Sequence, residues 1–281
     1  MAGTLFVVAT PIGNLEDITL RALRVLREAH VVAAEDTRRT ARLLAHHAIT
    51  TPTLSFHEHN TRSRMPPLLA RLEAGESVAL VTDAGTPGVS DPGVELVRAC
   101  IDRGIPVDPI PGASAPLAAA VASGFPLEPL TIFGFVPSRG KDRKEWLAQV
   151  AAVPHTFTFF ETPHRMEQTL EDMDIVFGER PIMVGRELTK LHQDLISGSS
   201  ASIIGRLPAV KGEFTVVVGP APAGKLANVD VSDDQIAAEV GHSTNIGPSG
   251  RRAAISAVAR KYGRTSRDVY AIIERAKKSV K

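Results

Sequence analysis

The stretch that most constrains this chain runs from Val78 to Gly93. Val78, Ala79, Leu80 and Val81 form an uninterrupted apolar run, the pattern of a short strand buried on both faces. Asp83-Ala84-Gly85-Thr86-Pro87-Gly88 then breaks the run with turn-forming residues. Asp91 followed by Pro92 predicts that a helix starts there, with aspartate as N-cap and proline at the first helical position. Open α/β sheets build ligand crevices from this succession of strand, loop and helix, beyond the carboxyl ends of their strands. A loop of this length costs conformational entropy and buries little, so a turn alone does not explain it. It reads as a ligand loop.

The same succession recurs along the chain. Thr4 to Ala9 has strand length and runs into Thr10-Pro11-Ile12-Gly13-Asn14-Leu15, a turn signal. Leu20, Leu23 and Leu26 then fall at helical spacing between Thr19 and Ala29. Val31 to Ala34 is a second buried strand, followed by helices through Leu43-Leu44 and from Arg62 to Glu73. Pro106 to Ile110 is a further strand, ending in Pro111-Gly112-Ala113-Ser114-Ala115 before an alanine-rich helix to about Ser123. Strands alternating with helices predict a mainly parallel sheet covered on both faces.

Leu130 to Phe135 adds a strand, and Val136 to Lys144, rich in Pro, Gly, Lys and Arg, reads as an exposed linker. A second α/β unit follows, with strands at Thr156 to Phe160, Ile182 to Leu188 and Glu213 to Gly219, and a helix from Pro163 through Leu170. Pro220 to Gly224 has linker composition. The predicted fold class is α/β, with domains at 1–136 and 137–222 and a small helical domain at 223–281.

Charge is split along the chain. Residues 250–281 hold ten Lys or Arg against Asp268 and Glu274, whereas the rest of the chain has 22 basic and 29 acidic residues. Arg251, Arg252, Lys261, Arg264 and Arg267 fall on a compact helical pattern, so this segment is the expected nucleic-acid contact. Ser249 as a cap, Gly263 at a helix end and the Thr265…Asp268 capping box predict two short helices in a helix-turn-helix-like unit. The single cysteine, Cys100, sits in an apolar pattern and reads as a core thiol, which excludes a disulfide framework and a multi-cysteine zinc site. Met1-Ala2-Gly3 leads directly into a strand and no apolar run is long enough to span a bilayer, so the expectation is a cytoplasmic protein without a membrane partner.

Two motifs mislead. Gly219 to Lys225 spells a phosphate-loop pattern, but Leu226 stands where a magnesium-binding hydroxyl belongs, and Pro220 and Pro222 lack the N–H groups that cradle phosphate. His57-Glu58-His59 pairs two imidazoles without an identifiable third ligand, so no metal is expected. What remains is a set of loops at strand ends, from both units, converging on a cleft between domains.

Taken together, Thr10-Pro11-Ile12-Gly13-Asn14-Leu15, Glu35-Asp36-Thr37-Arg38, Ser55-Phe56-His57-Glu58-His59-Asn60, Asp83 to Pro87, Ser90-Asp91-Pro92-Gly93, Pro109-Ile110-Pro111-Gly112, Pro163-His164-Arg165 and Arg186 to Lys190 closely resemble the ribosomal RNA branch of the tetrapyrrole (corrin/porphyrin) methylase superfamily. The resemblance implies S-adenosyl-L-methionine as methyl donor, the 2′-hydroxyl of a cytidine in the decoding region of 16S rRNA as acceptor, the small ribosomal subunit as partner, and a homodimer. It places Pro11, Asp83, Ala84, Gly85, Val89, Ser114, Ala115 and Phe160 where relatives contact the cofactor. Thr82 replaces a usual serine, Ala113 a frequent proline, and His192-Gln193 a usual aromatic and acidic pair. A ribose hydroxyl is a poor nucleophile and needs a base or a cation nearby. Glu187 and Lys190 are expected to line the acceptor site, with Glu35, Asp36 and Glu161 as other carboxylates within reach. The rival readings are a methylase of porphyrin-like rings and a non-enzymatic RNA-binding protein.

Overall fold

The computed structural model describes residues 2–207, 211–222, 233, 236–237, 239–240, 254–256, 258–259 and 265–279. Its first half is a five-stranded sheet in the order β3-β2-β4-β1-β5, built from β1 (Leu5–Val8), β2 (Val31–Ala34), β3 (Thr53–Ser55), β4 (Val78–Val81) and β5 (Val107–Ile110). Every pairing in it is parallel. Between the strands run α1 (Leu20–Glu28), α2 (Thr37–His46), α3 (Thr61–Glu73) and α4 (Val94–Asp102), and α5 (Ala115–Ser123) follows β5.

The central strand explains the layering. Side chains alternate across a strand, so Val78 and Leu80 enter a core with Leu68, Leu69 and Leu72 of α3 and Leu96 and Cys100 of α4. Ala79 and Val81 enter the opposite core with Ala22, Val25 and Leu26 of α1 and Leu44 of α2. All four β4 residues are buried, and each large aliphatic side chain so removed from water contributes about 1.5–3 kcal/mol. A polar residue on either face would lose that and leave an unpaired group. Cys100 is a buried free thiol, as its pattern predicted.

The second half is a mixed sheet in the order β6-β7-β10-β8-β9, from β6 (Leu130–Phe135), β7 (Thr156–Glu161), β8 (Ile182–Arg186), β9 (Asp194–Gly198) and β10 (Phe214–Val218). Only β6 and β7 pair in parallel; the other three pairings are antiparallel. One face, with Phe157, Phe159, Val184 and Val216, packs on α6 (Gly140–Ala151), α7 (Pro163–Phe177) and α8 (Ser200–Ile204) through Leu147, Met166, Leu170 and Ile203. The other face presents Met183 and Val217 to Ala119 of α5 and to Ile12. That contact seats a helix of the first half on the sheet of the second.

Three expectations are corrected here. Residues 136–144 are not an exposed linker: Val136 is buried, α6 starts at Gly140, and Arg143 forms an almost fully buried 2.7 Å ion pair with Asp172 of α7. The helix after β4 does not start at Asp91. Its cap is Gly93, at φ 131°, and its first helical residue is Val94, each two residues later than expected. Nor does the strand at Leu130–Phe135, expected within the first domain at 1–136, join the first sheet: as β6 it pairs with β7 in the second. The edge strands β3 and β9, which carry no strong apolar signal, are additional to the expected elements.

In the C-terminal segment the capping box forms as expected. Asp268 N–H donates to Thr265 Oγ1 at 3.1 Å and Thr265 N–H donates to Asp268 Oδ2 at 3.1 Å, opening α9 (Ser266–Ser279). Val269, Ile272 and Ile273 of α9 pack with Ala254, Ile255 and Val258. Arg267 is exposed in the first turn. Arg251, Arg252, Lys261, Arg264, Ser249 and Gly263 lie outside the described residues. No described helix is long and apolar enough to cross a membrane.

Candidate active site between the two sheets

The loops after β1, β2 and β4 are tied to one another at the carboxyl end of the parallel sheet. Thr10 and Gly85 exchange both backbone hydrogen bonds, at 2.8 and 3.0 Å, and the Thr10 hydroxyl donates to the Thr82 carbonyl. Gly85 sits at φ 83°, a conformation L-residues rarely adopt, so glycine here is a backbone requirement. Asp83 N–H donates to Glu35 Oε2 at 3.1 Å, and Asp36 N–H donates to Asp83 Oδ1 at 3.1 Å. The loop after β1 also meets the second half: Asn14 N–H donates to the Thr189 hydroxyl at 3.0 Å. A Cβ on Gly13 would come within 2.6 Å of both the Leu188 carbonyl and the Lys190 side chain.

These ties enclose a cavity of about 380 Å³ between the two sheets. From the first half it is lined by Ile12, Glu35, Arg39, the run Asp83 to Thr86, Val89, Ser90, Asp91 and Ser114 to Pro116. From the second it is lined by Phe135, the run Phe160 to Pro163, Leu188 and Gly212 to Thr215. Its volume lies within the range of small-molecule sites. Asp83, Ala84, Gly85, Val89, Ser114, Ala115 and Phe160 all line it, so the loops singled out in the sequence do converge. Pro11 does not: it is buried, and its neighbour Ile12 reaches the cavity instead. Glu187 and Lys190 do not line it either.

The electrostatics differ from wall to wall. Asp91 is pushed up to about 7, chiefly by burial, then by the charges of Glu35 and Asp83, with the Thr82 hydroxyl opposing. Asp83 is held by Arg39 at 3.5 Å. Asp36, at the cap of α2, lies well below the usual carboxylate range because Arg38 and backbone N–H groups bind it. Glu161 is fully buried and spoken for, by Arg165 at 2.7 Å and the Thr169 hydroxyl at 2.7 Å. Opposite stand the rings of Phe135 and Phe160, their centroids 5.1 Å apart. The first-half wall therefore carries Glu35, Asp83 and Asp91, and the second-half wall sets two aromatic rings beside carboxylates already paired with cations, Glu161 with Arg165 and Glu213 with Lys190.

Glu187 and Lys190 form an ion pair behind the rim. Lys190 Nζ lies 2.9 Å from Glu187 Oε1 and 3.1 Å from Glu213 Oε2, and Glu187 Oε1 accepts the Glu213 N–H at 2.9 Å. For Glu187, burial raises the carboxyl, but the Lys190 ammonium and the Glu213 N–H outweigh it and hold it below its ordinary value. For Lys190, burial lowers the ammonium, but bonds to Glu187 and Glu213 leave it raised. Both stay charged near neutrality, and Glu213, which they hold, is the member that reaches the cavity.

Sequence reasoning missed Asp91 as a wall residue, along with Arg39, Phe135, Leu188 and residues 212–215. Ser90-Asp91-Pro92-Gly93 carried a signal, since Ser90 (φ 63°) and Gly93 both take left-handed backbone, but a cap was the simpler reading. His57 and His59 lie away from the cavity with ring centroids 6.0 Å apart, and among the described residues no group of three His, Cys, Asp or Glu could hold a metal ion.

Comparison with known proteins fixes the class. The Tetrapyrrole (Corrin/Porphyrin) Methylases profile matches residues 4–204. A solved uroporphyrin-III C-methyltransferase from Thermus thermophilus, complexed with S-adenosyl homocysteine, superposes with a TM-score of 0.55 at 20% identity, covering 77% of this chain and 97% of that one. This chain belongs to the tetrapyrrole methylase family, within the branch of the relatives that follow. Ribosomal RNA small subunit methyltransferase I of Halalkalibacterium halodurans is 46% identical over 77% of this chain and 75% of that protein. The protein of the same name from Mesorhizobium japonicum is 48% identical over 78% and 76%.

Proposed function

We propose that this protein is an S-adenosyl-L-methionine-dependent methyltransferase whose acceptor is the 2′-hydroxyl of a cytidine in the decoding region of small-subunit (16S) ribosomal RNA. The observation that carries the reading is the cavity with Asp83, Asp91 and Glu35 on one wall and Phe135 and Phe160 on the other. That pairing fits a ligand with a flat apolar ring and a positive charge, which is what this cofactor offers. The names of the 46% and 48% identical relatives support small-subunit rRNA as acceptor.

When bound, the cofactor supplies an activated methyl on a sulfonium. In the transfer the sulfur–methyl bond breaks, an oxygen–methyl bond forms at O2′, and the hydroxyl proton leaves to a base or to water. The protein's contribution is mainly alignment of the two atoms. Ile12, Ala84, Gly85, Val89, Ser114 and Ala115 are the proposed cofactor contacts, with Phe160 as apolar wall and Asp83 as anionic partner. Pro11 sets the course of the first loop from behind. Glu187 and Lys190 are proposed as positioning residues that hold Glu213 at the rim on the acceptor side. The charged C-terminal segment, with Arg251, Arg252, Lys261, Arg264 and Arg267, is the proposed second contact with rRNA.

The reading carries with it a cytoplasmic homodimer acting on the small ribosomal subunit, and a three-part division of the chain in which the first boundary moves from 136 to ahead of Leu130, because β6 belongs to the second sheet, and the second stays at 222. It is tested by methyl transfer from labelled cofactor to small ribosomal subunits and, in parallel, to porphyrinogens. Label in the rRNA alone supports it. Label in the porphyrinogen alone replaces it with ring methylation, and no cofactor binding at all favours a non-enzymatic RNA-binding protein.

A further inference from the structure

The wall of the cavity is acidic, yet the surface beside it is not. Residues 36–64 hold five arginines, Arg38, Arg39, Arg42, Arg62 and Arg64, against two carboxylates, Asp36 and Glu58. Elsewhere residues 1–249 are net acidic. All five arginines are exposed. The topology gathers them. β2 and β3 are neighbours with Ala34 opposite Ser55, and the Phe56 N–H donates to the Ala34 carbonyl at 2.7 Å. The chain that leaves β2 for α2 and the chain that leaves β3 for α3 therefore emerge side by side, about one strand spacing apart. The arginines fall in the first two turns of helices that then run to opposite faces of the sheet, so the patch spans the carboxyl edge between them. The first passes directly from the cavity wall at Glu35 into Arg38, Arg39 and Arg42, and Arg39 itself lines the cavity.

Burial does not account for these residues. α2 buries Thr40, Leu43 and Leu44, and α3 buries Thr61, Leu68, Leu69 and Leu72, so the arginines lie on the faces turned from the core. Arg38 is held by Asp36 and Arg39 by Asp83. Arg42, Arg62 and Arg64 make no salt bridge among the described residues, and Glu58 is exposed without one as well. The loop that presents Arg62 and Arg64 is braced from within: Asn60 Oδ1 accepts the His57 N–H at 2.8 Å, Asn60 Nδ2 donates to Ser55 Oγ at 3.1 Å, and the Thr61 hydroxyl donates to the His57 carbonyl. A pre-ordered cationic surface loses less entropy on binding. All five cations are guanidinium groups, whose planar donor fork matches phosphate.

We infer that Arg38, Arg39 and Arg42 of α2, with Arg62 and Arg64 of α3, form a docking surface for the phosphate backbone of the RNA strand that delivers its nucleotide to the cavity. The inference rests on the RNA-methyltransferase reading above and deepens it. It places the strand on the β2–β3 side of the cavity mouth, independently of the C-terminal segment. Charge complementarity favours RNA over a protein partner, because arginines without local acceptors suit a polyanion and the patch offers no apolar centre on which a protein interface would close.

The test uses the full-length chain carrying Arg42→Gln, Arg62→Gln and Arg64→Gln together, three residues that do not line the cavity. The probes are a short labelled single-stranded RNA oligonucleotide and intact small ribosomal subunits. Affinity for the oligonucleotide is expected to fall about tenfold or more at low salt. The plot of log affinity against log salt should be shallower by about 2, since each single-strand phosphate contact contributes about 0.7. The corresponding triple lysine variant keeps most of that slope. Calorimetric affinity for S-adenosyl-L-methionine, unchanged in both variants, shows that the fold is intact. An unchanged affinity and slope for the glutamine variant overturns the surface while wild-type rRNA methylation leaves the enzyme reading standing. Loss of subunit binding with undiminished oligonucleotide binding overturns it in favour of a ribosomal-protein contact. A wild-type chain that neither binds nor methylates rRNA removes both.

Discussion

Glu35 and Asp83 are clasped to each other's loops: the Asp83 N–H donates to Glu35 Oε2 at 3.1 Å, and Asp83 Oδ1 accepts the N–H of Asp36, the residue after Glu35, at 3.1 Å. Two strand-end loops that are 48 residues apart in sequence are thereby fixed around one cavity wall. Asp83→Ala leaves the Asp36 N–H without its acceptor and Arg39 without its partner. A polar group orphaned in this way costs about 1–3 kcal/mol. The expected result is a loss of that size in chemical denaturation, together with at least about tenfold weaker cofactor binding. Asp83→Asn, which keeps an acceptor oxygen, should recover most of the stability but not the binding.

Asp91 sets a pH dependence. Its folded value of about 7 lies above that of a free carboxyl, because burial and the charges of Glu35 and Asp83 disfavour the anion. The folded state therefore holds this proton more tightly than the unfolded one, and its contribution to stability is present below the unfolded value and declines as pH rises toward about 7. Asp91→Asn removes that decline. Melting temperatures of the ligand-free protein should show the variant gaining more over wild type near pH 8 than near pH 5. An equal gain at both values contradicts the assignment.

How far the sequence carried the fold depends on how local the cause was. β1, β2 and β4 are runs of Val, Leu, Ala and Phe that end in turn residues, and β5, Val107-Asp108-Pro109-Ile110, is bounded by Pro106 and by Pro111-Gly112, so their signals lie within a few positions. β3 has Leu54 as its single apolar residue, and β9 lies at a sheet edge, so neither differs from a loop on composition. Arg143 reads as a solvated linker charge because its partner, Asp172, is 29 residues away on the next helix. In the site, the first-half loops were legible because small residues at strand ends cost entropy without burying surface. Gly212 to Thr215 and Phe135 reach the cavity only through the topology of the second sheet, and Asp91 only through the left-handed turn at Gly93.

The Arg143–Asp172 pair is the strongest stability prediction outside the site. Both side chains are at most 10% exposed and meet at 2.7 Å. Removing one partner strands a buried charge, at about 3–5 kcal/mol. Arg143→Ala should shift the urea midpoint accordingly. The double replacement Arg143→Met with Asp172→Leu should cost much less, since neither charge is then left behind.

Gly13 is expected to be a functional rather than a thermodynamic position. A Cβ there would meet the Leu188 carbonyl, Lys190 and the Thr189 hydroxyl, all within 2.7 Å. Gly13→Ala therefore pries the loop after β1 from residues 188–190, and with it Ile12 and Leu188 from the cavity wall. Turnover and cofactor affinity should fall together, while a melting temperature close to wild type would show that the sheets are intact.

The most direct test of the account is transfer of labelled methyl from S-adenosyl-L-methionine to small ribosomal subunits from a strain lacking this protein, followed by mapping of the modified nucleotide. One 2′-O-methylated cytidine in the decoding region is expected, formed by the wild type and lost in Asp83→Ala. Label on a base, label in a porphyrinogen instead of rRNA, or full transfer by Asp83→Ala would contradict it.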